Sequence, residues 1–179
     1  MPQQDYGVIP LSERVNEFFK KEIAISNEKG LKNAFMTLLD LSFFEKDIDL
    51  TEFYDVKHYL SDVLARNALV SDINPLEEKI YLIDLYIPAG MNPPKHEAKE
   101  KADFLMFMVG IFPKYIRRKG LNIDYYVIGA SSLYRRLVNE GLVFKKLSYN
   151  TKPFVESLNI MSSKYLKIEK EPNERFLLH

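Results

Sequence analysis

The chain has 179 residues, of which 46% are hydrophobic and 28% are charged, and its basic and acidic side chains balance to a formal net charge of zero. These values are typical of a globular protein with one sizeable core, and they exclude a disordered chain. The absence of cysteine excludes disulfides, thiolate zinc sites, iron–sulfur clusters and cysteine nucleophiles.

The N-terminus has no basic segment followed by an apolar run, so we expect no signal peptide. The longest apolar run, residues 104–112, is much shorter than the roughly 20 residues that a membrane-spanning helix needs. We therefore expect a cytoplasmic protein that binds no membrane. Glutamine occurs only at Gln3 and Gln4, and this scarcity, together with the absence of cysteine, favours a thermophilic source.

Apolar residues recur with helical spacing along most of the chain, and four helices are predicted in its N-terminal half. The first begins near Ser12 and ends with a C-cap within residues 27–30, and the second covers residues 31–44. The third follows a capping box at residues 49–52, Asp-Leu-Thr-Glu, in which the aspartate side chain accepts from the amide of the glutamate while the glutamate side chain reaches back to the start of the helix. The fourth covers residues 74–87, where Asn-Pro supplies a cap and a first-turn proline.

Residues 79–87 also alternate weakly between polar and apolar types, so this segment is the main candidate for a strand. Residues 88–95 are rich in proline and form either a loop within one bundle, which we prefer, or a break between two subdomains. The prediction is an all-α fold, a single domain over residues 1–179 with about seven to eight helices. Residues 1–9 and 167–179 are expected to be loose tails.

Four further segments of the C-terminal half have helical spacing. The fifth helix covers residues 95–111 and ends before a proline, and a short helix after it closes with Gly120 at the C′ position. The next covers residues 125–139, capped by Asn122 or by the aspartate two positions later, and the last begins with Thr151 as its N-cap. The core is predicted from apolar residues of these helices: Phe104, Phe107, Met108, Ile111, Ile128, Leu133 and Leu158.

The stretch YYVIGASSLYRRL, residues 125–137, combines small, aromatic and basic residues. It is not a nucleophile elbow, because Leu133 stands where the second glycine would be and no strand precedes it. It also lacks the glycine pattern of a phosphate loop or a dinucleotide-binding turn. In a helix, Gly129 has two interpretations: it lets a neighbouring helix approach closely, which we prefer, or it opens space for a ligand.

Charge is unevenly distributed, since residues 104–155 contain nine basic and two acidic residues while the rest of the chain is net acidic. Such asymmetry marks an anion-binding face, or else a segment that faces water or packs against acidic residues. The candidate ligand-binding residues are Tyr125, Tyr126, Gly129, Tyr134, Arg135 and Arg136. The candidate anion contacts are Arg117, Arg118 and Lys119.

Three histidines are present, and the spacing of His58, His96 and His179 fits no metal site, so we predict no metal and no cofactor. The leading functional hypothesis is a non-catalytic binding module whose tyrosine–arginine face holds an anionic small ligand or an acidic protein surface. The alternative is a nucleic-acid-associated protein that binds phosphates through the basic segment 114–152. The third is an enzyme with a helical pocket, although no nucleophile or base stands out.

Three motifs follow one another between residues 102 and 166: FLMFMVGIFP, then YYVIGASSLYRRL, then FVESLNIMSSKYL. An apolar helix that ends in Gly-x-Phe-Pro, a helix with Tyr-x₃-Gly-x₄-Tyr and a closing amphipathic helix resemble an uncharacterised family of small all-helical bacterial proteins. Tyr125, Gly129 and Tyr134 hold the positions of the second motif. The resemblance covers about a third of the chain and implies no activity.

Overall fold

A computed structural model describes residues 11–19, 27–69 and 93–168, and the fold is all-α. The described residues form seven α-helices, which in chain order are α1 (Leu11–Phe19), α2 (Glu28–Glu45), α3 (Tyr54–Leu69), α4 (Lys95–Ile111), α5 (Pro113–Arg118), α6 (Ile123–Arg135) and α7 (Leu142–Ile160). A 3₁₀ turn, Val138–Glu140, precedes α7, and a π-helical turn, Met161–Tyr165, follows it. The predicted helix and strand candidate within residues 74–87 lie outside the described residues, as does almost all of both predicted tails.

Helix α4 lies at the centre of the bundle. Every residue from Ala102 to Ile111 is buried, which explains why the sequence is apolar on all sides of this helix. Helices α3, α6 and α7 all pack against α4, and α2 pairs with α3 and α7. The described helices therefore share one continuous core.

Helices α2 and α3 form an antiparallel hairpin joined by residues 46–53. Near the loop, Lys57 of α3 pairs with Asp40 of α2 at 2.6 Å. About two turns of α2 further from the loop than Asp40, Lys32 pairs with Asp62 at 2.7 Å. The residue numbers rise on one helix as they fall on the other, so the two helices run in opposite directions.

Several sequence predictions agree with the structure. Helix α4 has the predicted bounds, residues 95–111. The side chain of Asn122 caps α6 by accepting from the amide of Asp124 at 2.9 Å. Asp49 accepts from the amide of Glu52 at 3.1 Å, as the capping-box pattern predicts, and α3 begins two residues later.

Three sequence predictions were wrong. The segment 27–30 does not close the first helix, because Asn27 is the N-cap of α2 and accepts from the amide of Gly30 at 2.7 Å. Thr151 is not an N-cap, because its buried hydroxyl donates to the carbonyl of Leu147 at 2.6 Å, although the predicted break lies next to a kink of α7 at Asn150. Ile128 is 64% exposed and not in the core, because it lies on the side of α6 opposite the buried residues.

Candidate functional site

The six predicted ligand residues lie on different sides of α6. Tyr126, Gly129 and Tyr134 face the core, with Tyr126 only 2% and Tyr134 0% exposed. Tyr125 is half-buried, and Arg135 is exposed. Arg136 follows the helix, and its guanidinium donates to the carbonyl of Pro93 at 3.1 Å.

The hydroxyl of Tyr134 contacts Asp103, a buried carboxylate in the middle of α4. Oδ1 of Asp103 accepts from Tyr134 at 3.0 Å and from Tyr59 of α3 at 2.5 Å. Oδ2 lies 2.9 Å from Nζ of Lys99 and 3.5 Å from the guanidinium of Arg66. Both carboxylate oxygens therefore have partners, and the cluster joins helices α3, α4 and α6.

The two phenols of this cluster are held in their neutral form. Burial, followed by the negative charge of Asp103, raises the pKa of Tyr134 well above its ordinary value. The same two causes raise the pKa of Tyr59. Since the carboxylate is fully occupied and the phenols stay protonated, this cluster supports the fold rather than acid–base chemistry.

The predicted anion contacts lie at the opposite end of α6 from Arg135. Arg117 and Arg118 end α5, and Lys119 follows them; all three are exposed. Helix α6 has 13 residues, which corresponds to a length of about 20 Å. The basic segment of the sequence therefore splits into two separate groups of cations in the folded chain.

Helices α6 and α7 pack side by side in opposite directions. The hydroxyl of Ser131 donates to the carbonyl of Ser148 at 2.7 Å, and the rings of Tyr134 and Phe144 stack 6.3 Å apart. Moving from Ser131 to Tyr134 on α6, three residues toward its C-terminus, therefore corresponds to moving from Ser148 to Phe144 on α7, four residues toward its N-terminus.

This register places outward-facing residues of the two helices beside each other. We call them the α6–α7 face: Ile128, Arg135, Leu142, Lys145, Tyr149 and Lys152. Extending the register, Arg135 lies level with Leu142 and Val143, and Ile128 lies level with Lys152, which follows the kink of α7 at Asn150.

The α6–α7 face exposes both large apolar and cationic side chains. Tyr149 is 69%, Ile128 64% and Leu142 61% exposed. Within the described part of the chain, none of its three cations, Arg135, Lys145 and Lys152, pairs with a carboxylate. The face can therefore offer positive charge and apolar area to the same partner.

Sequence reasoning counted these cations but missed the face they share with apolar residues. The available signal was the spacing of Leu142, Lys145, Tyr149 and Lys152, which falls on one side of a helix. It was missed because an interruption was expected at Thr151, next to the kink that α7 has at Asn150, so residues before and after it were not compared. The buried carboxylate was also missed, although Asp103 is the one acidic residue at the start of the long apolar run.

Two histidines and a small cavity are further candidates in the described part of the chain. Among residues 11–19, 27–69 and 93–168, no group of three acidic or histidine side chains is arranged to hold a metal ion. His58 packs against the ring of Tyr54, with a centroid distance of 4.5 Å, and His96 is exposed. A cavity of about 30 Å³ beside Tyr115 and Asn159 has room for water molecules only.

Comparison with protein-family models, with curated proteins and with solved structures produced no match for this chain. The resemblance of residues 102–166 to a bacterial family therefore stays a prediction. Of the helices in the described ranges, none is both long and apolar enough to cross a lipid bilayer.

Proposed function

We propose that the protein is a non-catalytic binding module of the cytoplasm, and that it holds an acidic protein surface on the α6–α7 face. The observation that carries the proposal is the juxtaposition of Arg135, Lys145 and Lys152 with three large exposed apolar side chains. Exposed apolar area bordered by charge is typical of protein interaction sites. Cations at such a site steer an acidic partner to it, and the apolar groups add affinity through burial.

This proposal keeps Arg135 from the sequence-based hypothesis and replaces the tyrosines of α6 by Tyr149 of α7. The exposed ring of Tyr149 provides the amphipathic contact, because Tyr126 and Tyr134 are buried in the core. A rigid aromatic side chain contributes a large contact area at a small cost in conformational entropy. The cytoplasmic location is supported by the absence of cysteine.

Nucleic-acid binding is the second candidate, and it is favoured by one observation. Tyr149 stands between Lys145 and Lys152 on α7, an arrangement in which a base can stack while the cations contact phosphates. The exposed side chains of Ile128 and Leu142 favour a protein partner, since phosphates make no use of aliphatic groups. Nucleic-acid binding is therefore tested as an alternative outcome of the binding experiment described next.

The test uses a fluorescein-labelled amphipathic helical peptide that carries glutamate beside leucine, and fluorescence anisotropy as the readout. Three proteins are compared: the wild type, Lys145→Glu/Lys152→Glu, and the matched control Lys114→Glu/Arg117→Glu. The control changes net charge by the same amount on exposed residues of α5. We expect the α7 variant to lose about tenfold or more in affinity and the control to stay within about twofold.

Two results would overturn the proposal. If both double variants weaken peptide binding equally, the effect is long-range electrostatic attraction and not the α6–α7 face. If a single-stranded DNA oligonucleotide binds more tightly than the peptide, with an affinity that falls steeply with salt, the nucleic-acid alternative is correct. A peptide with glutamine in place of glutamate is expected to bind weakly.

A further inference from the structure

The tip of the α2–α3 hairpin has the opposite charge to the α6–α7 face. Its acidic residues are Glu45, Asp47, Asp49 and Glu52. Two ion pairs lie at its edge, since Glu45 is paired with Lys164 at 2.7 Å and Lys46 with Glu156 at 2.8 Å. Large apolar side chains are exposed on both sides of the loop, since Phe44 is 79% and Tyr54 57% exposed. We call residues 44–54 the acidic tip.

The acidic tip lies directly beside the α6–α7 face. Nζ of Lys146 on α7 donates to the carbonyl of Glu52 at 2.6 Å and to Oδ1 of Asp55 at 2.8 Å. Lys146 follows Lys145 in the sequence, and Tyr149 lies one turn further along the same helix. The acidic tip thus flanks one side of α7 and α6 flanks the other, separated by about one helix diameter, roughly 10 Å.

A surface with neighbouring halves of opposite charge is self-complementary under a two-fold rotation. An axis through the exposed side of α7 brings the basic half of one copy onto the acidic half of the other, and each contact occurs twice. Phe44 and Tyr54 then meet the apolar side chains of the α6–α7 face, and Tyr149 lies near the axis. The internal pair between Lys146 and Asp55 stays intact at the boundary.

We propose that the acidic partner of the α6–α7 face is a second copy of this chain, which forms a two-fold dimer through that face and the acidic tip. The inference rests on the proposed function and names the partner. Charge complementarity carries it: residues 104–155 contain nine basic and only two acidic residues, and the rest of the chain is net acidic, although the whole chain has no net charge. The folded chain places the two kinds of surface next to each other, with the exposed side of α7 between the acidic tip and α6.

The test exchanges charges between the two halves and measures mass by sedimentation equilibrium. Lys145→Glu/Lys152→Glu leaves the combined surface net acidic, with Arg135 as the remaining cation of the α6–α7 face. Thr51→Lys/Glu52→Lys brings the acidic tip to neutral and leaves the combined surface net basic; both variants change exposed positions. We expect a wild-type dimer whose dissociation constant rises with salt and rises at least about tenfold in each variant. An equimolar mixture of the two variants is expected to form a heterodimer, because their surfaces are again complementary.

The controls separate this inference from the proposed function. Lys114→Glu/Arg117→Glu is expected to dimerise like the wild type, and every variant must retain the wild-type circular dichroism and urea midpoint. If a variant fails to fold, Lys145→Gln/Lys152→Gln and Glu52→Gln replace it and should weaken the dimer to a smaller extent. A wild type that stays monomeric but binds the glutamate peptide would overturn the dimer and leave the proposed function standing. A wild-type dimer that neither exchange weakens, or a mixture that stays monomeric, would also overturn the inference.

Discussion

The hydroxyl of Tyr134 on α6 donates to Oδ1 of Asp103 on α4 across 3.0 Å. Tyr59 on α3 donates to the same oxygen, so one buried carboxylate holds three helices in register. A buried charge is costly unless hydrogen bonds and opposite charges compensate it. The stability of the bundle is therefore expected to depend on these two phenols more than on any exposed tyrosine.

Replacing Tyr134 by phenylalanine removes one of the two phenolic donors to a buried carboxylate. Because hydrogen bonds to charged groups contribute more than neutral ones, the free energy of unfolding is expected to fall by about 1.5–3 kcal/mol. Urea unfolding measures the change. Tyr149→Phe is the control, since that hydroxyl is on an exposed side chain, and it should remain within about 0.5 kcal/mol of the wild type. Equal effects at the two positions would contradict the role assigned to Asp103.

The same cluster predicts a loss of stability at alkaline pH. The pKa of Tyr134 is raised in the folded protein, first by burial and then by Asp103, whereas in the unfolded chain the phenol ionises near pH 10. Above that pH the folded state binds more protons than the unfolded chain. The contribution of Tyr134 to the free energy of unfolding is therefore complete below pH 10 and decreases as the pH rises, by about 1.4 kcal/mol per pH unit.

Urea unfolding of the wild type and of Tyr134→Phe between about pH 9 and pH 11 tests this dependence. The variant lacks the buried phenol, so its stability should decrease less steeply over that interval. Tyr149→Phe should keep the wild-type slope. Identical slopes for the wild type and Tyr134→Phe would show that Tyr134 ionises in the folded state as readily as in the unfolded chain.

Most of the described fold could be predicted from local patterns. Helical periodicity, the proline after α4 and the cap at Asn122 depend on residues within one or two turns, so they are readable from the sequence. The errors arose where one local pattern fits two structures. A threonine two residues before a proline suits a helix start, and it also fits the kink that α7 has at Asn150, whose φ is −120°.

The candidate site was less predictable because it depends on which side of each helix faces the core. The basic residues were visible in the sequence, but Tyr126 and Tyr134 could not be separated from Tyr149 without knowing where α4 packs. Aromatic residues occur both in hydrophobic cores and on binding surfaces. The contact between α6 and α7 joins residues about 17 positions apart, as at Ser131 and Ser148, and no local pattern encodes it.

Gly110 of α4 packs tightly against Leu158 of α7, and an alanine there is expected to destabilise the protein. A Cβ at this position would lie 2.5 Å from Cδ1 and 2.7 Å from Cβ of Leu158. The second atom is attached to the backbone, so the two helices would have to separate. Overpacking of this kind costs about 1–3 kcal/mol, against a gain of about 1 kcal/mol in helix propensity.

The matched substitution is Gly141→Ala, whose Cβ would meet only Phe144, at 4.0 Å. The difference between overpacking and helix propensity at Gly110 is a net loss of about 0–2 kcal/mol, and chemical denaturation should show about 1 kcal/mol for Gly110→Ala. Gly141→Ala should show only the smaller loss that comes from replacing the N-cap residue of α7 by alanine. A neutral or stabilising Gly110→Ala would mean that α7 moves away from α4 at no cost.

Ser42 of α2 and Ser157 of α7 form a buried pair of hydroxyls. The losses of unfolding free energy caused by replacing each of them with alanine should not be additive. Both residues are 0% exposed; Ser157 donates to Ser42 at 2.9 Å, and Ser42 donates to the carbonyl of Leu39 at 3.3 Å. Ser42→Ala leaves the hydroxyl of Ser157 buried without its acceptor, which costs about 1–3 kcal/mol. Ser157→Ala is expected to cost less, because Ser42 keeps the carbonyl as its acceptor.

The double variant Ser42→Ala/Ser157→Ala leaves no unpaired hydroxyl in this contact, so it should be more stable than Ser42→Ala alone. A double-mutant cycle measured by urea unfolding is expected to give a coupling energy of about 1 kcal/mol. Thr37→Ala, at an exposed position on α2, serves as the control and should show no coupling to Ser157→Ala. Additive losses in the cycle would mean that the two hydroxyls do not depend on each other, and that α2 is held against α7 by apolar contacts such as the stacked rings of Phe43 and Phe154, 5.7 Å apart.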